Sequence, residues 1–121
     1  MHYLASPYSH SDPDVVLSRF NDTSRAAAHL ASISIHTISP ILHWHHTART
    51  HSLPTSHNYW LTYNHSLIRH CDSVIFLTLD GWQSSLGLAD ELTFVRRLHI
   101  PHTFLTLDAL LLLSAAEAHK I

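Results

Sequence analysis

The stretch SVIFLTL, residues 73–79, consists almost entirely of apolar and β-branched side chains. A strand with one face in water alternates polar and apolar residues, whereas a strand covered on both faces reads as a continuous apolar run. We therefore predict that this stretch is the central strand of a sheet whose two faces are both buried.

Shorter strand-like segments stand before and after it, and helical patterns separate them. The predicted outer strands are HYLAS (2–6), ISIHTI (33–38) and HTFLTL (102–107). The predicted helices cover residues 11–32, 58–71, 86–98 and 108–120, with Pro13 in the first turn of the first and Asp108 as the cap of the last. This alternation predicts an α/β protein with a parallel sheet of four to five strands and helices on both faces. Ligands of such sheets bind beyond the carboxyl ends of the strands.

The segment ILHWHHTARTHSLPTSH, residues 41–57, has no clear apolar periodicity. It is polar, rich in histidine and interrupted by Pro54. We predict a long loop or a short irregular helix, and loops of this length commonly carry function.

Length and composition limit the organisation and the partners. The 121 residues fit a single domain, 1–121, and the net charge of −2 with seven scattered Lys and Arg argues against binding a nucleic-acid polymer. The single cysteine, Cys71, excludes an internal disulfide and fits a reducing compartment. The first residues do not resemble a signal peptide, and the run ALLLL (109–113) is far shorter than the ~20 residues of a membrane helix. We expect a cytoplasmic protein without membrane contact that binds a small molecule.

Both glycines of the chain lie in DGWQSSLGLADEL, residues 80–92. Gly81 lets the chain turn sharply off the central strand, and Gly87 leaves space one turn before Glu91, since residues four apart stack on a helix. Ser85 can cap this helix, whose first turn offers a site for phosphate. Glu91 falls on the apolar side of the helix, where a carboxylate is costly unless it is paired or used. It is either a catalytic group or a structural carboxylate paired with a hydroxyl such as that of Tyr3.

Four motifs, in this order and spacing, resemble the nucleoside 2-deoxyribosyltransferase-like superfamily. They are YLASPY (3–8), SPILH (39–43), CDSVIFL (71–77) and GWQSSLGLADEL (81–92). The resemblance covers about residues 3–107 and implies a flavodoxin-like (Rossmann-like) fold, with cleavage of an N-glycosidic bond by hydrolysis or sugar transfer. It implies that Glu91 attacks the anomeric carbon, as in retaining glycosidases, without a metal or an organic cofactor. It also implies a homodimer or larger homo-oligomer.

The resemblance assigns roles to further residues of this chain. It implies that Tyr3 orients the catalytic glutamate, that Ser85 and Ser6 bind phosphate, and that His43 and Trp44 contact the base. Ser85 stands where the nucleotide hydrolases have a serine and the transferases an aspartate, which favours a nucleoside 5′-monophosphate over a free nucleoside.

The chain departs from the family at two places. Asn64 stands where the enzymes usually carry an aspartate, and an amide cannot act as a general acid or base at neutral pH. The hydrolases also place an arginine just after the first strand, where this chain has none, and Arg19 replaces it only if it reaches back from the first helix.

Two alternatives remain open at the level of sequence. Because of Asn64, the protein is either an enzyme or a nucleotide-binding module with weak or no catalysis. The histidines of HWHH (43–46), with His51 and His57, are numerous enough for a metal site, although no H-E-x-x-H motif or carboxylate pair frames them. We therefore favour no metal.

Overall fold

The computed structural model describes the backbone of residues 1–121 and all side chains except those of residues 119 and 120. Four strands form one sheet: β1 (His2–Ala5), β2 (Thr37–Ile38), β3 (Ser73–Leu77) and β4 (His102–Leu105). All neighbouring pairs are parallel, and the order is β2-β1-β3-β4. The predicted flavodoxin-like α/β fold is confirmed, and the sheet has four strands.

Five α-helices connect or follow the strands: α1 (Pro13–Ser32), α2 (Pro40–Thr50), α3 (His57–Arg69), α4 (Leu86–Arg97) and α5 (Leu107–Leu111). The side chain of the residue before the helix caps the backbone in four of them: Asp12 for α1, Ser39 for α2, Ser85 for α4 and Thr106 for α5. These caps satisfy N–H groups that have no acceptor within the helix. They fix where each helix leaves the carboxyl edge of the sheet.

The central strand is covered on both faces, as its apolar run predicts. Val74, Ile75, Phe76 and Leu77 are each at most 1% exposed. One face of the sheet packs on α1 and α5 through Leu4, Ile75, Leu77, Ala26, Leu30 and Leu110. The other face packs on α3 and α4 through Tyr3, Val74, Phe76, Ile68, Phe94 and Val95. Each such burial stabilises the fold by about 1.5–3 kcal/mol.

Three boundaries differ from the prediction. The segment predicted as a long loop or a short irregular helix contains the regular 11-residue helix α2, which Ser39 caps and Pro40 begins. The second strand has only two residues, because residues 33–36 complete a turn after α1 in which Ser34 has φ 65°. The prediction of one closing helix over 108–120 is also wrong.

The closing segment divides into two short helices. Thr106, not Asp108, caps α5, and the chain restarts as a 3₁₀ helix, Ala115–Lys120, with a capping box between Ser114 and Glu117. His29 of α1 hydrogen-bonds the carbonyl oxygen of Leu113 at 2.8 Å. In a continuous helix this carbonyl group would accept a hydrogen bond from the next turn. Here His29 provides the hydrogen bond, so packing against α1 stabilises the break.

Arg19 holds together the two loops that leave β1 and β3. Its guanidinium donates to the carbonyl oxygen of Ser9 at 2.9 Å and to that of Asp80 at 3.1 Å. Gly81 follows with φ +82°, the left-handed region in which glycine alone is unstrained. A Cβ on Gly81 would lie 2.6 Å from Nη2 of Arg19. The glycine therefore allows both the turn and the close approach of the arginine.

None of the helices, within the residues that the structure describes, is long and apolar enough to cross a membrane.

We expect Gly81→Ala to lower the free energy of unfolding by about 1–2 kcal/mol, the cost of a left-handed residue with a Cβ. The matched control is Gly87→Ala, the same substitution at the other glycine, inside α4. Its new Cβ would meet nothing closer than 3.8 Å, so stability should hold or rise by up to about 1 kcal/mol. Urea denaturation measures both, and equal losses would contradict the assignment of Gly81.

Candidate active site

A cleft of about 540 Å³ opens at the carboxyl edge of the sheet. Its walls come from the loop after β1, from α2 and α3, and from the first turns of α4. Six of the nine residues predicted for the site line it: Ser6, Trp44, Asn64, Ser85, Gly87 and Glu91. Segments far apart in the sequence are thus brought to one place.

The other three predicted residues do not line the cleft. Tyr3 is 1% exposed and lies in the core behind Glu91. Gly81 lies at the turn that Arg19 contacts. His43 is exposed on α2 and contacts Trp44 edge-on, with ring centroids 5.0 Å apart. Its route to a ligand is through Trp44.

Glu91 is the buried carboxylate of the cleft. It lies on the sheet-facing side of α4, is 7% exposed, and its Oε2 has no hydrogen-bond partner among the described residues. Burial raises the pKa of Glu91 from 4.5 to about 7, and the negative charge of Asp90 adds to the rise, while a hydrogen bond from Tyr3 lowers it. The carboxyl group therefore exchanges its proton near neutral pH.

Tyr3 supports Glu91 from inside the core. Its own pKa is raised well above the usual value, first by burial and then by the neighbouring Glu91 carboxylate. The hydroxyl consequently keeps its proton and donates to Glu91 whenever the carboxylate is ionised.

The N-terminus of α4 forms the wall beside Glu91. Ser85 caps the helix by accepting a hydrogen bond from the N–H of Leu88 at 3.2 Å. A Cβ on Gly87 would lie 3.8 Å from Ser85 Oγ and from His57 Nδ1, so the missing side chain leaves open space in the cleft. The first-turn N–H groups and this space suit an anionic or hydroxylated ligand.

Aromatic rings of α2 and α3 form the opposite wall. Trp44 lies 5.3 Å from Trp60 and 5.9 Å from Tyr63 between ring centroids. Nε1 of Trp44 and Oδ1 of Asn64 are buried without hydrogen-bond partners among the described residues. An unpaired buried donor and acceptor are costly, and a bound ligand that pairs with them recovers the cost.

Sequence reasoning did not assign site roles to Tyr8, Arg49, His45, His57 or Trp60, all of which line the cleft. Nδ1 of His45 lies 2.5 Å from the Tyr8 hydroxyl. Burial raises the pKa of Tyr8, and Arg49 opposes this shift. Burial also lowers the pKa of His45, and Arg49 adds to that effect. The helical spacing from Trp44 to Ala48 and from His45 to Arg49 was the signal that could have found this wall.

Arg19 does not supply the missing arginine of the loop after β1. It holds the carbonyl groups of Ser9 and Asp80 and does not line the cleft. Ser6 does line it, at 6% exposed, and its Oγ accepts a hydrogen bond from Thr23 at 3.0 Å. The arginine at the cleft is Arg49, from α2.

The histidine-rich segment does not assemble a metal site. Across the side chains that the structure describes, no group of three or more His, Cys, Asp or Glu could hold a metal ion. His45 and His57 face the cleft, whereas His43, His46 and His51 are exposed.

Comparison with protein families gives one finding. A family model described as a domain of unknown function (DUF1937) matches residues 1–105. None of the curated proteins matches the chain. The matched residues include the whole sheet and every wall of the cleft.

We expect Glu91→Gln to stabilise the protein at pH 8. The raised pKa means that the folded state keeps a proton which the unfolded state loses, so stability falls as pH rises from 4.5 to about 7 and stays lower above. The pKa shift corresponds to a loss of at most about 3 kcal/mol in the free energy of unfolding at pH 8 and to no loss below pH ~4.

Thermal unfolding from pH 4 to pH 8 measures this difference. Glu117→Gln is the matched control, because Glu117 is the only other glutamate and accepts hydrogen bonds from Ser114, outside the cleft. Parallel pH profiles of wild type and Glu91→Gln would contradict the burial of an ionisable carboxylate.

Proposed function

The chain belongs to the family described as a domain of unknown function (DUF1937), and we propose that it is an N-glycosidase of nucleoside 5′-monophosphates or nucleosides, with Glu91 as the nucleophile. The observation that carries this proposal is the buried Glu91 carboxylate, which lines the cleft, accepts a hydrogen bond from Tyr3 and has an oxygen, Oε2, without a partner among the described residues. The resemblance of the surrounding motifs to the nucleoside 2-deoxyribosyltransferase-like superfamily supports the same assignment.

The proposed reaction has two steps. Oε2 of Glu91 attacks C1′ of the sugar, the C1′–N bond breaks, and the base leaves with the bonding electrons. Water, or a second base in a transfer reaction, then attacks C1′ and releases the Glu91 carboxylate. Neither step needs a metal or an organic cofactor.

The energetic cost of burying Glu91 fits this chemistry. An ionised carboxylate in an apolar setting is poorly stabilised in the free protein. The sugar develops positive charge in the transition state of glycosidic cleavage. Attraction to that charge appears only as the bond breaks, so it lowers the barrier without merely tightening substrate binding.

The cleft provides groups that suit both ends of a nucleotide. Ser85, Ser6 and Arg49 provide hydroxyl groups and a positive charge for a 5′-phosphate. Trp44 and Trp60 provide flat rings on which a base can stack. The sugar would then lie between them, over Gly87 and Glu91. As the resemblance implies, we also propose that the protein acts as a homodimer or larger homo-oligomer.

The direct experiment is incubation with a panel of nucleosides and 5′-monophosphates, with and without an acceptor base, followed by chromatography of the released bases. We expect base release by wild type and none by Glu91→Gln. Release that is equal in both proteins, or absent from both, would sink the proposal. Saturable nucleotide binding without release would instead support the binding-module alternative, which Asn64 in the cleft favours.

The same panel tests the phosphate end of the cleft. Arg49→Met should raise KM for 5′-monophosphates about tenfold, since it removes one charge-assisted contact of about 1.5–3 kcal/mol, and should leave KM for nucleosides unchanged. Equal effects on both substrate classes would show that Arg49 shapes the cleft without contacting phosphate.

The pH dependence of kcat/KM tests the role of Tyr3. We expect the pH profile of kcat/KM to have an ascending limb with an apparent pKa of about 7, because Glu91 must be ionised to attack. In Tyr3→Phe the hydrogen bond that lowers this pKa is lost, so the midpoint should move up by up to about one pH unit. An unchanged midpoint in this variant would contradict the pairing of Tyr3 with Glu91.

A further inference from the structure

The proposed reaction needs a proton donor that the predicted site residues do not provide. A base leaving with the bonding electrons is a poor leaving group unless a nitrogen or oxygen of its ring is protonated. Asn64 lines the cleft where an acid is expected, but an amide cannot give up a proton at neutral pH. Glu91 must itself be ionised in order to attack.

Besides Glu91, four ionisable side chains line the cleft, and three of them are not available as proton donors. Tyr8 and His45 share a hydrogen bond, and His45 is 6% exposed and stacked on Phe20, with ring centroids 3.9 Å apart. Arg49 carries a permanent positive charge and does not exchange protons. The remaining group is His57.

His57 is free to act and is well placed. It begins α3, and Trp60 and Asn64 follow on the same helical face at i+3 and i+7, so all three line the cleft. The ring of His57 makes no hydrogen bond within the part of the chain that the structure describes. Its Nδ1 lies 3.8 Å from the position that a Cβ on Gly87 would occupy, which is the open space one turn before Glu91.

We propose that His57 is the acid/base residue of this cleft, facing Glu91 across the space above Gly87. The inference rests on the proposed function, and it assigns to a histidine of α3 the proton transfer that Asn64 cannot perform. Imidazole suits this role because histidine is the side chain that ordinarily gains and loses a proton near neutral pH.

The two steps then balance. In the first, Glu91 bonds to C1′, the C1′–N bond breaks, and protonated His57 gives its proton to the departing base. In the second, neutral His57 takes a proton from water as the water oxygen bonds to C1′, and the Glu91–C1′ bond breaks. The sum is addition of water across the glycosidic bond, with both side chains returned to their starting states.

The test compares two leaving groups in wild type and in His57→Gln. One substrate is the nucleotide or nucleoside that wild type cleaves fastest, and the other is a 4-nitrophenyl glycoside of the same sugar, whose leaving group needs no proton. His51→Gln is the matched control, because His51 is exposed and outside the cleft. Thermal unfolding of each variant shows that it is folded.

We expect His57→Gln to lower kcat for the nucleotide at least about 100-fold. The first step with the nitrophenyl glycoside, read as the burst of nitrophenol, should fall less than tenfold. Azide should restore turnover of that glycoside at least tenfold, because azide attacks the glycosyl ester without losing a proton. His51→Gln should match wild type on both substrates.

Two failures are distinguishable. His57 is not the acid/base residue if wild type cleaves the nucleotide and folded His57→Gln loses little activity. The same conclusion follows if the variant loses activity on both substrates equally and azide does not restore it. If wild type cleaves neither substrate, the proposed function fails, and the role of His57 fails with it.

Discussion

The hydrogen bond between Tyr3 and Glu91 joins the core of this protein to its cleft. Tyr3 belongs to β1 and Glu91 to α4, so the bond crosses from the sheet to the helix that packs on it. Apolar core side chains pack around Tyr3, burial makes the Glu91 carboxylate expensive to ionise, and its Oε2 has no hydrogen-bond partner among the described residues. The sheet therefore does more than support the cleft, because its packing sets the proton affinity of the group proposed to react.

The fold was predictable because its signals are local. The apolar run of β3, the caps at Ser85 and Asp12 and the alternation of strand and helix are each visible within a few residues. The regular helix α2 was not predicted because its histidine and threonine residues obscure the apolar periodicity. Its buried side includes Ala48 and His45, which are at most 8% exposed. The break after α5 was missed because it depends on a bond from His29, far away in the chain.

The candidate site was predictable only where it follows a strand. Ser6 follows β1 directly, and Ser85, Gly87 and Glu91 lie at or in α4, the first α-helix after β3, so their meeting at the carboxyl edge follows from topology. The wall that carries Arg49, His57 and Trp60 is placed by the packing of α2 and α3, which no short motif encodes. Arg19 is the opposite case: it was considered for the site, but its guanidinium donates to the backbone carbonyl groups of Ser9 and Asp80.

In the α2–α3 wall, α2 follows the two-residue strand β2 and α3 leads into β3, and the two helices contact each other through Trp44, Trp60 and Tyr63. Glu91, the proposed nucleophile, lies on α4, which follows the longest strand, β3, and Tyr3 lies on the neighbouring strand β1. The α2–α3 wall carries the residues proposed to contact base and phosphate, and it also carries His57, the proposed acid/base residue. Over evolution, substitutions at Trp44, Trp60 or Arg49 would change which ligand the cleft accepts and leave Tyr3 and Glu91 in place, whereas His57 ties the same wall to the proposed chemistry.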